Sequence, residues 1–283
     1  MADQKLLRID NLEVRFKADT QPENLVVDGF NLEIFSGETL ALIGESGCGK
    51  TTVARAILRL IEWPGKITNG KIIYRGENLL ALPEKRLRKI RWKEIAMIFQ
   101  EPAAALNPLR RLGPQTTEVL RLHLGLNEKF AVEKTLHLFE SVGLPEASRC
   151  FSAYPHELSS GMRQRAMIAM AIACCPALII ADEPTAALDA HHQNEALACL
   201  QHLQQEHELS LLFITHDLGL VATWAQRVAI MQHGKIVEAE TTEQILSRPQ
   251  HPYTKKLLEA AKRFQINDID DLEINRASIT AAG

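Results

Sequence analysis

The chain has 283 residues, which suits one large domain or two small ones sharing a core. Its 15 glycines and 12 prolines, with 46% hydrophobic and 24% charged residues, exclude collagenous, low-complexity and disordered classes. The 32 basic and 35 acidic residues leave a formal charge of -3, so bulk electrostatics give no reason to bind nucleic acid or an anionic membrane; any such partner has to be met by a local patch.

Met1 to Lys5 lacks the apolar run of a secretory signal. Cys48, Cys150, Cys174, Cys175 and Cys199 form an odd set without C-x-x-C, which fits a reducing compartment. From Leu6 to Phe16 and from Asn31 to Ile43, apolar residues recur at alternate or consecutive positions, broken by Ser36-Gly37-Glu38; the pattern predicts strands joined by a turn. A helix is expected after Lys50, strands near Lys71 to Tyr74 and Ile95 to Phe99, and helices near Gln115 to Leu124 and Lys129 to Val142.

Between strands, Lys85 to Lys93 is basic and contains Trp92, but Leu87 and Ile90 within it and flanking Glu84 and Glu94 favour an amphipathic surface helix over a nucleic-acid patch. Ala166 to Ala181 carries no charge, yet it is shorter than the roughly 18 to 20 apolar residues of a spanning helix and is cut by Pro176. It reads as a buried helix feeding a buried strand. Strands at Leu178 to Ala181, Leu211 to Thr215 and Val228 to Gln232 then alternate with helices such as Gln193 to Glu206, the pattern of a parallel sheet with crossover helices. His191 and His192 are adjacent, so on a helix they point apart, and solvated histidines are expected. The expected organisation is a discontinuous α/β core over 1–100 and 162–264, a helical insert over 101–161, and an acidic, loosely held tail over 265–283.

After Leu40-Ala41-Leu42-Ile43 comes Gly44-Glu45-Ser46-Gly47-Cys48-Gly49-Lys50-Thr51, followed by Thr52 and leading into a helix. This matches G-x-x-x-x-G-K-[ST]. Glycines let backbone N–H groups curl round phosphates, the helix N-terminus adds partial positive charge, Lys50 reaches the β- and γ-phosphates and Thr51 offers a hydroxyl to magnesium. Cys48 reads as a small residue that fits the loop; the alternative is a thiol activated by the helix terminus. Further on, Leu178-Ile179-Ile180-Ala181 ends in Asp182-Glu183. Ligands of open α/β sheets sit at the carboxyl ends of strands, where Asp182 suits magnesium and Glu183 can polarise an attacking water.

Other segments carry a resemblance. Pro184-Thr185-Ala186-Ala187-Leu188-Asp189 is similar to the D-loop of ATP-binding-cassette (ABC) proteins, and Leu158-Ser159-Ser160-Gly161-Met162-Arg163-Gln164-Arg165 to their signature. Phe99-Gln100-Glu101-Pro102 resembles the Q-loop and Thr215-His216-Asp217 the switch-histidine segment, all in the family's order. The resemblance implies an α/β P-loop NTPase core with an N-terminal antiparallel β subdomain and an inserted helical subdomain. It implies ATP and Mg2+ as cofactors, and Glu183, His216 and Gln100 as catalytic residues. Nucleotide would contact Phe16, Gly44, Glu45, Ser46, Gly47, Cys48, Gly49, Lys50, Thr51, Thr52, Ser159, Gly161 and Asp189, and the metal would be held by Thr51, Gln100 and Asp182. Phe16 would stack on adenine; core packing is the alternative. Ser159 and Gly161 would face the ATP of a second ABC ATPase subunit, identical or different, in a head-to-tail dimer.

Ala105-Leu106-Asn107-Pro108, Tyr154-Pro155-His156-Glu157-Leu158 and His251-Pro252-Tyr253-Thr254 resemble the oligopeptide, dipeptide and nickel importer branch. That branch implies transmembrane permease subunits as partners, an extracytoplasmic solute-binding protein indirectly, and a peripheral place on the cytoplasmic face of the inner membrane; no nucleic acid is implied. Many members have a cysteine-rich C-terminal segment resembling an iron-sulfur ligand set, whereas this chain has no cysteine after Cys199, so no cluster is expected. Ser160 departs from the usual second glycine of the signature; if that position needs φ > 0, a side chain costs about 1 kcal/mol. The alternative readings are a non-transport ABC ATPase acting on ribosome or DNA, and a plain P-loop kinase or GTPase, which leaves the signature, Asp189 and His216 unexplained.

Overall fold

The structure, a computed structural model, describes residues 4–17, 22–185 and 190–260. Two sheets organise it. The first runs β2-β1-β4-β5, all antiparallel, from β1 (Lys5–Phe16), β2 (Asn24–Phe35), β4 (Gly65–Tyr74) and the short β5 (Glu77–Asn78). In β1 the buried positions change phase, from Leu7 and Ile9 to Leu12 and Val14. A bulge at Asn11, with φ 47, makes that switch and keeps both halves facing inward. Gly70 lies opposite with φ 105, where a Cβ would come within 2.6 Å of the Leu12 backbone.

The second sheet has the order β10-β9-β3-β8-β7-β6. Its parallel members are β3 (Thr39–Ile43), β6 (Ile95–Ile98), β7 (Leu178–Asp182), β8 (Ser210–Ile214) and β9 (Arg227–Gln232), and β10 (Lys235–Thr241) closes one edge antiparallel to β9. Alternate residues of these strands enter opposite cores: Leu178 and Ile180 pack with the first sheet, Ile179 and Ala181 with the helices. Burial on both faces is why they read as unbroken apolar runs.

Helix α1 (Lys50–Ile57) follows β3, and α2 (Glu84–Ile90) buries Leu87 and Ile90 while its basic residues face outward. This agrees with the amphipathic reading of that stretch. Between β6 and β7 the structure is helical: α3 (Pro102–Ala105), α4 (Leu112–Leu124), α5 (Glu128–Ser141), α6 (Ala147–Ser152) and α7 (Ser160–Ile172). Helix α7 is buried along most of its length and continues across residue 161, where the sequence pattern ends the insert. Then come α8 (Ala190–His207), α9 (Leu218–Trp224), α10 (Thr242–Ser247) and a last helix, α11, over 252–260. Asp189, the tail over 265–283 and the side chains of His191 and His192 lie outside the described residues.

Candidate functional site

Because β3, β6, β7 and β8 are parallel, their carboxyl ends share one edge of the sheet. The segments leaving that edge are Gly44 to Gly49 after β3, Gln100 after β6, Asp182-Glu183 at the end of β7 and Thr215-His216 after β8. A cleft of ≈ 180 Å³ there is lined by Val26, Ser46, Gly47, Gly49, Lys50, Thr51, Thr52, Gln100 and Glu183.

The loop after β3 is shaped by its glycines. A Cβ on Gly44 would fall 2.2 Å from the Met231 carbonyl oxygen, and Gly49 caps α1 with φ 110. Cys48 N–H donates to the Glu45 carbonyl at 3.2 Å, turning the chain, and Gly234 N–H donates to the Cys48 carbonyl at 3.1 Å from the β9–β10 turn. Lys50 is 7% exposed, and its ammonium donates to the carbonyls of Gly44 (2.7 Å) and Glu45 (3.0 Å). The Cys48 thiol is half-buried and packs against Gly44. Burial pushes its pKa up, with the Lys50 charge acting in the opposite direction, which favours the packing reading over the activated thiol.

Asp182 is buried, and burial raises its pKa while the Thr51 hydroxyl, donating to Oδ1 at 3.2 Å, opposes the rise. A buried carboxylate bonded to a hydroxyl that lines a phosphate-sized cleft is a hard-oxygen donor pair of the kind magnesium uses with phosphate and water as its other ligands. The donor set fits the metal, and Gln100 lines the same cleft. Glu183 has φ 45, a left-handed conformation, with its N–H donating to the Ile214 carbonyl at 2.9 Å. Its carboxylate accepts from Gln100 Nε2 at 3.0 Å and lies 3.5 Å from His216 Nδ1. Three residues from three strand ends therefore meet; strained backbone of this kind clusters at working sites.

Phe16 ends β1 half-buried, its ring against Ile61 and Gly65, and does not line the cleft. Ser159 and Gly161 do not line it either. Ser159 is exposed and caps α7, accepting from Met162 N–H at 3.2 Å. Ser160 is the first residue of α7 and has no positive φ, so the strain expected of a side chain there is absent. Sequence reasoning gave no role to Val26, which lines the cleft, or to Tyr253, whose hydroxyl accepts from Glu45 N–H at 3.0 Å. The His-Pro-Tyr-Thr motif singled Tyr253 out without indicating what it touches.

Residues 27–186 match the family described as ABC transporter, and residues 237–282 match the oligopeptide/dipeptide transporter C-terminal region. The oligopeptide transport ATP-binding protein OppD of Bacillus subtilis is 43% identical over 269 residues, covering 95% of this chain and 75% of that protein. The dipeptide transport ATP-binding protein DppD of the same organism is 41% identical, with coverages of 93% and 79%. The peptidoglycan transport ATP-binding protein YejF of Agrobacterium fabrum is 46% identical over 91% of this chain, which spans 47% of that longer relative. Among solved structures, a dimeric post-hydrolysis ATP-binding cassette bound to ADP and Pi superposes with a TM-score of 0.74 at 26% identity, covering 83% of this chain and 98% of that one. A dimeric bacterial ABC transporter cassette gives 0.74 at 27% with the same coverages. With strand ends, loop and carboxylates arranged as described and these similarities in hand, the chain belongs to the ABC transporter family of ATP-hydrolysing, ATP-binding subunits.

Proposed function

We propose that the chain is the ATPase subunit that powers a membrane importer of peptides or a related small solute. The convergence of Lys50, Thr51, Asp182, Glu183, Gln100 and His216 on one sheet edge carries this reading. The loop N–H groups and Lys50 bind the phosphates, and Thr51 with Asp182, joined by Gln100, would hold magnesium. The metal supplies charge neutralisation on the phosphate oxygens when bound. Glu183 accepts the proton of the water that attacks the γ-phosphorus, which passes to water as the bridging bond to the β-phosphate breaks. Gln100 and His216 keep the carboxylate aimed and can each reach a phosphate oxygen. Phe16, outside the phosphate cleft, would stack on the adenine base.

Ser159, exposed at the N-terminus of a 13-residue helix and away from this chain's own cleft, suits an anion on a second subunit, as does Gly161 behind it. Asp189 belongs to the same proposed contact. Pairing with a second cassette, here proposed to be head-to-tail, is supported by the dimeric state of the similar cassettes. The proposed division of the chain, a core over 1–100 and 162–264 with a helical insert over 101–161, lets the insert pass motion to permease subunits on the cytoplasmic face of the membrane. Among the described residues no helix is long and apolar enough to cross a membrane, so attachment would run through those subunits. The transport proteins named above favour this reading over a ribosome- or DNA-directed one. Tagged chain recovered from detergent-solubilised native membranes should bring down a polytopic permease and a second cassette and hydrolyse MgATP. Recovery with ribosomes or DNA alone would overturn the transport assignment.

A further inference from the structure

The C-terminal segment reaches the phosphate loop through one side chain. Tyr253, at the start of α11, is 7% exposed, with its ring among Ala41, Ile43, Val228, Ile230 and Ile245 beneath the end of β3. From there its hydroxyl accepts the Glu45 N–H at 3.0 Å. The Glu45 carbonyl accepts from Lys50 Nζ at 3.0 Å and from Cys48 N–H at 3.2 Å. Both polar backbone groups of Glu45 are thus engaged, one by the loop it opens and the other by a residue 208 positions later.

The segment is itself latched. Glu238 on β10 accepts from the N–H groups of Gln250 (2.7 Å) and His251 (3.0 Å), and His251 Nδ1 accepts from Tyr253 N–H at 3.2 Å. Burial acts against the Glu238 charge, but the hydrogen bonds it accepts, those two N–H groups among them, outweigh it and hold the carboxyl below the usual range, so the latch is ionised at neutral pH. A continuous chain of contacts therefore runs from β10 through Glu238, residues 250–253 and the Tyr253 hydroxyl to the first turn of the phosphate loop.

We propose that Tyr253 is a positioning residue for the phosphate loop, so that docking of the C-terminal segment sets the affinity for MgATP. It acts through Glu45 and touches no reacting atom. A loop freed from this brace samples geometries that do not bind phosphate, and apparent affinity falls by the fraction of competent molecules. The inference rests on the ATP-binding reading above. A cleft of ≈ 270 Å³ lined by Glu45 to Cys48, Gln232 to Gly234 and Tyr253 lets water replace the lost acceptor, so the effect is that of a net hydrogen bond and not of a buried unpaired donor.

The test uses the full chain and MgATP. Tyr253→Phe keeps the ring and removes the hydroxyl. Its Kd by calorimetry and its KM should rise about two- to tenfold, with kcat within about twofold and the nucleotide-free melting temperature within about 2 °C. Glu238→Gln should give a smaller rise in Kd, and the double variant should be no weaker than Tyr253→Phe alone, since both act through one path. Unchanged Kd in Tyr253→Phe, a fall in kcat at constant KM, or independent multiplying effects in the double variant would each overturn the proposal. Failure of the unmutated chain to bind MgATP would instead overturn the reading on which it rests.

Discussion

Glu183 allows backbone strain and chemistry to be separated. Its φ of 45 places a β-carbon where L-residues pay about 1–2 kcal/mol, while glycine there pays only its greater freedom in the unfolded chain, about 0.5–1 kcal/mol relative to alanine. Glu183→Ala and Glu183→Gly both remove the carboxylate and, with it, the contacts to Gln100 at 3.0 Å and His216 at 3.5 Å. They differ only in the Cβ. The glycine variant should therefore be the more stable by about 0.5–1 kcal/mol, or roughly 1–4 °C in a thermal melt of the nucleotide-free protein. At an ordinary helix or strand position the order is the reverse. Both variants should lose turnover by about 10²- to 10⁴-fold in a phosphate-release assay while still binding ATP, as should Glu183→Gln, which keeps the side-chain shape. An alanine variant at least as stable as the glycine variant would refute the left-handed backbone. Turnover within about tenfold of the parent would refute the proton-accepting role.

Three further outcomes follow from neighbouring geometry. Gly44→Ala places a Cβ 2.2 Å from a backbone carbonyl and 2.7 Å from the Cys48 sulfur, so the loop must shift, and MgATP binding measured by calorimetry should be lost even if the chain folds. The Cys48 thiol, with its pKa raised by burial, holds little thiolate at pH 7 to 8; residue-resolved mass spectrometry should show iodoacetamide labelling exposed Cys175 first, and Cys48 labelling should accelerate as pH climbs toward the raised pKa and slow when MgATP is added. Ser160→Gly relieves no strain, because Ser160 is already helical, so steady-state ATPase activity should stay within about twofold of the parent.

The parallel strands were legible because both faces are buried: Leu40 to Ile43, Leu178 to Ala181 and Leu211 to Ile214 are runs that only a doubly covered strand tolerates. Once those runs are parallel, the acidic, amide and imidazole residues at their ends have to share an edge, which is why Gln100, Glu183 and His216 could be grouped although more than a hundred positions separate the first from the last. The edge strand β10 escaped notice, since Lys235–Thr241 is polar and half-exposed and lacks that signature. Strand β4 begins at Gly65, earlier than its apolar stretch, because an antiparallel partner in β1 and not burial sets its length. The Tyr253 contact with Glu45 is a property of the folded chain alone, as no local pattern ties the two. No local pattern marks Phe16 for base stacking, because an aromatic at a strand end packs on Gly65 whether or not a base covers its ring.

The phosphate-facing groups are already committed to one another. Lys50 bonds two loop carbonyls, Thr51 bonds Asp182, and Gln100 and His216 both approach Glu183. On the proposed roles, phosphate binding at this edge would be an exchange of partners, favourable because an ammonium paired with an anionic oxygen gains a charge–charge attraction that a neutral carbonyl does not supply. The same exchange has a consequence for Glu183. Drawing Gln100 or His216 onto a phosphate oxygen removes one of the two groups beside the carboxylate and frees an oxygen to accept from water. Because those side chains come from β6 and β8, on either side of β7, the carboxylate would become available as the cleft is engaged from both flanks. On the proposed roles, readiness to hydrolyse would be coupled to occupancy by competition for Glu183, with no movement required of the strand that carries it.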